Sequence, residues 1–384
     1  MKSLFLPFLL MIFTWGCSSN SSDHITDTTM NRSYLFLLGT YTEKPEEGIN
    51  LLGFDPVAGE MEIIHVAPDI ENPSFVLANA DQTLVYATEE TGGEQGGKVT
   101  SFKLDKVKGT LEKISSVFTG GDSPCHISLD PTERFVVVSN YSGGNVTVIP
   151  VDQEGTLSSD IQIIQHEGSS IDPNRQNAPH VHSAVFHPSE SRVFVADLGT
   201  DKIYLYDFVN KGSAPLSPAS SPEFAVEAGA GPRHILFNKA GDRLYMIHEL
   251  TAEVGVYAYE KGEIFHLETK SLVPEDFTGE VGAAEVRISP DGNYLYASNR
   301  GEANTITVFQ INQDDGLLTK IQHTSSQGTA PRNFIITPDG NFLICGNQNS
   351  NEVNVFDRNQ EDGKISPSQI TLSVNKPVYF YSLD

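Results

Sequence analysis

Residues 177–186 read NAPHVHSAVF, with His180 and His182 two apart at the head of an apolar run. On a strand, residues i and i+2 share a face. The pair could bind a metal, move protons, or simply supply two polar residues at the mouth of a strand. Similar residues recur along the chain at comparable points. Short openings of the Pro-x-x-apolar type place Phe75, His126, His182, His234, Glu285 and Asn333 at their third position. Cys125, Arg233 and Arg332 stand one position earlier. A further set, Tyr41, Glu90, Tyr141 and Arg300, follows the apolar run of its unit. His180 stands where other units have a proline, so it is additional to the repeat. Imidazoles and carboxylates so placed exchange protons with water, and guanidiniums bind oxyanions or anionic groups at two points. The alternative use is to satisfy strand-end backbone groups and buried water. Gathering this many in one apolar-walled channel is costly unless they are paired or functional.

Other chemistries lack their signatures. HExxH, CxxC and repeated Asp-x-Asp loops are absent, and His180-Val-His182 supplies only two ligands, so no metal and no cofactor is expected. There is no GxSxG and no P-loop, and Ser183 beside His182 is not by itself a triad.

The elements that position these residues form one repeated unit. PCHISLDPTERFVVVSNYSGGNVTVIPVDQEGTL, PRHILFNKAGDRLYMIHELTAEVGVYAYEKGEI and PRNFIITPDGNFLICGNQNSNEVNVFDRNQEDGKI share one plan. Each has a short strand, a turn, an apolar run, a polar pair, a Gly/Asn/Ser turn, a third strand and a turn into a fourth. The end of the second strand is read at Thr40, Glu89, Asn140, Asp197, Glu249, Asn299 and Asn347, at intervals of 49, 51, 57, 52, 50 and 48. Seven such points predict an all-β, seven-bladed β-propeller. The first unit begins at its second strand, and the last segment, KPVYFYSLD, is an opening with nothing after it. The C-terminal strand is therefore expected to complete the first blade and close the ring.

The matching stretches LLGTYTEKPEEGI, NPSFVLANADQTLVYATEE, SPCHISLDPTERFVVVSNYSGGNV, DPNRQNAPHVHSAVFHP with VADLGTDKIYLY, GPRHILF with HELTAEVGVY, AAEVRISPDGNYLYASNRG, and APRNFIITPDG with GNQNSNEV run from about residue 34 to the end. In order and spacing they resemble the seven-bladed propeller lactonases, which include 6-phosphogluconolactonases and carboxy-muconate lactonising enzymes. The resemblance implies a site at one channel mouth, with catalytic residues at His182, Arg233, Glu249 and Arg300. His180, Arg175, His234, Glu285 and Arg332 are the neighbouring substrate-binding candidates. It implies hydrolysis of a sugar lactone, with Glu249 or His182 as base and the arginines on the oxyanion or on an anionic substituent. The alternatives are cyclisation of an unsaturated dicarboxylate or a non-enzymatic surface scaffold.

The chain of 384 residues carries a formal charge of −25. That excludes the basic face nucleic acid requires, and an anionic small molecule would need arginines gathered locally. Residues 1–16 resemble a lipoprotein signal, with Lys2, the apolar Leu4–Trp15 run and Gly16 before Cys17. On this reading Cys17 is lipidated, residues 17–33 are a tether, and residues 34–384 form the propeller. A plain secretory signal is the other reading. The expected protein is exported, a monomer, and bound to the envelope membrane only through its lipid. Cys125 and Cys345 lie in separate repeats and read as small buried hydrophobes.

Overall fold

The computed structural model describes Met1 and residues 34–383. Cys17, the tether and all of the signal segment but Met1 lie outside the described residues. Every element among the described residues is a β-strand, and the strands form seven four-stranded antiparallel sheets. Blade 1 runs from the inner strand Pro377–Leu383 through Tyr34–Thr40 and Ile49–Asp55 to Glu60–Ala67. Blades 2 to 7 begin at the inner strands Val76–Ala78, Pro124–Leu129, Val181–Phe186, Pro232–Phe237, Ala283–Ile288 and Pro331–Ile336. The ring closes as expected, with Leu35 opposite Leu383 and Gly39 opposite Tyr379.

Burial follows from stacking blade on blade. A middle strand is covered on both faces, so Phe135–Asn140 (FVVVSN) is buried throughout. The outermost strands face solvent on one side and alternate, as in Thr110–Phe118 (TLEKISSVF). The apolar core lies between blades: Leu37, Tyr86, Val99, Val136 and Val138 join blades 1, 2 and 3 in one cluster. Cys125 and Cys345 are buried and unpaired.

Two local features aim side chains at the channel mouth. The first is a register shift at the start of inner strands, between Pro124 and His126, Val181 and Ser183, and Pro331 and Asn333. A bulge re-aims the extra residue and its neighbours. It also corrects the sequence register. Val181 pairs with Asp197 as Pro124 pairs with Asn140, so His182 occupies the second position of its strand, beside Cys125, Arg233 and Arg332, and not the third. The second feature is the residue immediately after the second strand. Pro232 pairs with His248, so His248 marks the end of that strand and Glu249 follows it. Glu249 is therefore equivalent to Tyr41, Glu90, Tyr141 and Arg300. Glycine is required beside two of these positions. Gly301 has φ +67, and a Cβ there would lie 2.2 Å from the Glu280 carbonyl oxygen. Gly231, with φ +68, would meet Leu250 at 2.6 Å.

Candidate functional site

The second-position and post-strand residues converge on a cavity of about 240 Å³ lined by Tyr41, Glu90, Cys125, Tyr141, Arg175, His182, Glu249, Arg300 and Arg332. Glu249 is its electrostatic centre. Its carboxylate meets Arg175 Nη2 at 2.6 Å, Arg233 Nε at 3.0 Å and Arg300 Nη2 at 3.1 Å, with His182 Nε2 at 3.8 Å. The three guanidiniums are held separately as well. Arg233 is 2% exposed and donates through Nη1 to the Ala284 carbonyl. Arg300 Nε donates to the Gly282 carbonyl at 3.0 Å. Arg175, from the long connection between blades 3 and 4, also reaches the Tyr141 hydroxyl at 3.3 Å.

Burial by itself would raise the Glu249 carboxyl, but Arg300, Arg233 and Arg175 reverse this and hold it well below the usual carboxylate range. Glu249 is thus an anion that anchors cations and a poor proton acceptor. His182 is driven the other way. Burial, then the charge of Arg233, keeps its imidazole well below 6.5 and hence neutral. Cys125 Sγ lies 3.8 Å from His182 Nδ1, but burial and the nearby Glu90 push the thiol up, so no thiolate forms at neutral pH. Arg233 is lowered to about 10 by burial and by Arg300 and Arg332, and stays charged at neutral pH.

Across the cavity a second unit forms. Arg332 Nη2 donates to the Tyr41 hydroxyl at 2.9 Å, and Tyr41 donates to both Glu90 oxygens at 2.9 Å. The Arg332 guanidinium also sits 5.4 Å from the centre of the Tyr41 ring.

The structure separates the residues that the sequence grouped as one ring. His182, Arg233, Glu249 and Arg300 come together, with Arg175 and Arg332 on the same cavity. His180 stands outside it. Its ring stacks on Tyr141 at 4.5 Å, and Nδ1 lies 3.0 Å from the Tyr141 carbonyl oxygen, so it supports a wall of the cavity. His234 and Glu285 belong to the third-position layer, with Phe75, His126 and Tyr379, in a separate channel space of about 500 Å³. There His234 Nδ1 lies 3.3 Å from Glu285, and Asn333 donates to the same carboxyl. Burial raises the Glu285 carboxyl. Tyr41, Glu90 and Tyr141 were visible in the sequence as a set but not selected. Their equivalence to Glu249 would have selected them, had the strand end been read at His248. Among the described residues no group of three or more His, Cys, Asp or Glu side chains is arranged to hold a metal.

Comparison with known proteins agrees with this architecture. The family model described as "Lactonase, 7-bladed beta-propeller" matches residues 35–381. A Bacillus subtilis protein named 6-phosphogluconolactonase is 34% identical, covering 90% of this chain and 97% of its own. A Formosa agariphila protein of the same name is 33% identical, covering 88% and 96%. The solved structure of a Pseudomonas aeruginosa periplasmic gluconolactonase superposes with a TM-score of 0.87 at 35% identity, covering 91% of this chain and 99% of that one. With its sheets, ring closure and near-complete match to that model, the chain belongs to the seven-bladed β-propeller lactonase family.

Proposed function

We propose that the protein hydrolyses an anionic sugar lactone of the 6-phosphogluconolactone type in the cavity around Glu249. The observation that carries this reading is a local excess of positive charge in a chain of net charge −25. Four guanidiniums, Arg175, Arg233, Arg300 and Arg332, face two carboxyls, Glu249 and Glu90, beside a neutral imidazole. Four cations against at most two anions leave an excess of at least two positive charges, which suits a phosphate dianion and offsets the repulsive global field. The names of the Bacillus and Formosa relatives point to the same chemistry.

Hydrolysis requires removal of a proton from the attacking water and stabilisation of the oxyanion formed at the carbonyl. His182 is the base, since Glu249 is committed to its arginines. Glu249, 3.8 Å from Nε2, attracts the imidazolium as it forms. A bound anion weakens the arginine field that otherwise disfavours that charge. Arg300 and Arg175, at the open side of the cluster, take the oxyanion and the anionic substituent. The protein acts as a monomer, exported and tethered through Cys17. Export is supported by the periplasmic P. aeruginosa relative and by the signal-like segment.

The test is steady-state hydrolysis by the purified protein of 6-phosphogluconolactone against uncharged glucono-δ-lactone. At least a tenfold higher kcat/KM for the phosphorylated lactone is expected, and equal values would refute the anionic preference. The same charge excess also suits an unsaturated dicarboxylate. Cyclisation of a carboxy-muconate without lactone hydrolysis would replace the hydrolase reading with that one.

A further inference from the structure

Two carboxyl groups share the cavity, and their surroundings drive them apart. Glu249, in blade 5, touches three guanidiniums. Glu90, in blade 2, occupies the equivalent post-strand position three blades round the ring. Among the described residues nothing forms an ion pair with it. Its contact with Arg332 passes through Tyr41, whose hydroxyl accepts from Arg332 and donates to both Glu90 oxygens. Burial raises the Glu90 carboxyl, and the opposing effects of Arg332, Ser74 and Tyr41 do not cancel it. Paired carboxyls with opposed environments take different roles: one stays ionised while the other keeps a proton to give. A base and oxyanion donors leave one step of lactone opening unserved, because the ring oxygen departs as an alkoxide unless it is protonated.

We propose that Glu90, held by Tyr41 on the cavity wall three blades from Glu249, is the general acid that protonates the ring oxygen leaving the lactone carbonyl. This rests on the hydrolase reading above. The water oxygen bonds to the carbonyl carbon and its proton goes to His182. The bond from the carbonyl carbon to the ring oxygen then breaks, and its electron pair takes the proton of Glu90. The resulting carboxylate is stabilised by the Tyr41 hydroxyl, itself polarised by Arg332. The His182 proton returns to Glu90 through solvent, and the new carboxylic acid ionises. One lactone and one water thus give one hydroxycarboxylate and one released proton.

The test is the pH dependence of kcat for wild type, Glu90→Gln and Tyr41→Phe on 6-phosphogluconolactone and glucono-δ-lactone. Glu90→Gln should lower kcat by about 10²–10⁴-fold with KM changed less than threefold, as expected for loss of a positioned acid. It should also abolish the alkaline limb of the wild-type profile. Tyr41→Phe removes the donor that favours the carboxylate, so its alkaline limb should move to higher pH. Thermal melting supplies a readout independent of turnover. A raised folded-state pKa contributes stability below the unfolded value that is lost as pH rises through the folded value. Wild type should therefore lose stability relative to Glu90→Gln as pH rises from about 4 toward neutrality. Full kcat in Glu90→Gln, an alkaline limb unmoved in Tyr41→Phe, or parallel melting curves across pH would overturn the role of Glu90 alone. A wild type inactive on every lactone would overturn the hydrolase reading and this role with it.

Discussion

Replacing Glu249 with Gln removes the one charge that three buried or half-buried guanidiniums share, and its consequence is set by their geometry. Two unit charges 4 Å apart attract by about 4 kcal/mol at an effective dielectric of about 20, before desolvation is counted. Arg233 and Arg300 lie closer than this, at 3.0 and 3.1 Å, and Arg233 has almost no access to water. Leaving one member of a buried pair unmatched costs about 3–5 kcal/mol net. Arg175 is 42% exposed, so solvent screening limits its share to at most about 1 kcal/mol. Glu249→Gln should therefore lose about 3–5 kcal/mol in urea denaturation, and the loss should come mainly from Arg233 and Arg300. The pH dependence has a definite sign. Because the arginines hold Glu249 below the usual carboxylate range, its contribution is complete above the unfolded pKa of about 4.3 and disappears only as pH falls well below it. The difference between wild type and variant should be constant from pH 5 to 8. In kinetics the amide leaves the guanidiniums unfixed, and kcat should fall at least about a hundredfold, the scale of losing one oxyanion donor. A variant within 1 kcal/mol of wild type, turning over normally, would refute Glu249 as the anchor of the site.

Arg233→Lys and Arg300→Lys keep the charge but lose the planar fork, and each should lower kcat by about 10²–10³-fold, more than it raises KM. The control His126→Gln, in the separate channel space, should be milder, and steady-state assays that rank it otherwise would place the chemistry elsewhere. Deleting residues 376–384 removes the strand paired with Tyr34–Thr40 and exposes an open edge, so size-exclusion chromatography should show aggregates that the full chain does not form. Cys17→Ala should give a folded protein released from membranes, and persistence in the membrane fraction after high-salt washing would rule out a lipid anchor.

Blade number, all-β class and ring closure could be read from the sequence because each is a property of the repeat. Alternation, turn residues and a fixed spacing survive without knowledge of any contact, and a fragment such as KPVYFYSLD at one end calls for its complement at the other. The arginines at Arg233 and Arg300 were legible for the same reason, since a residue at a strand end is carried to the channel mouth by the fold's symmetry. Positions one residue out of register were not legible. The bulge at Val181–Ser183 inserts His182 into the second-position layer, and the strand pairing Pro232 with His248 makes Glu249 the equivalent of Glu90. A slip of one residue turns a side chain to the other face of a strand, so only the hydrogen-bond register could decide which histidine and which glutamate meet. Tertiary structure alone divided the polar ring into a mouth cavity and a channel, and brought Arg175 from a long connection onto Glu249. It also drives the two cavity carboxyls in opposite directions. Their residue type is identical, and what separates them is three guanidinium neighbours in contact with one, and for the other a burial that Arg332, Ser74 and Tyr41 do not offset.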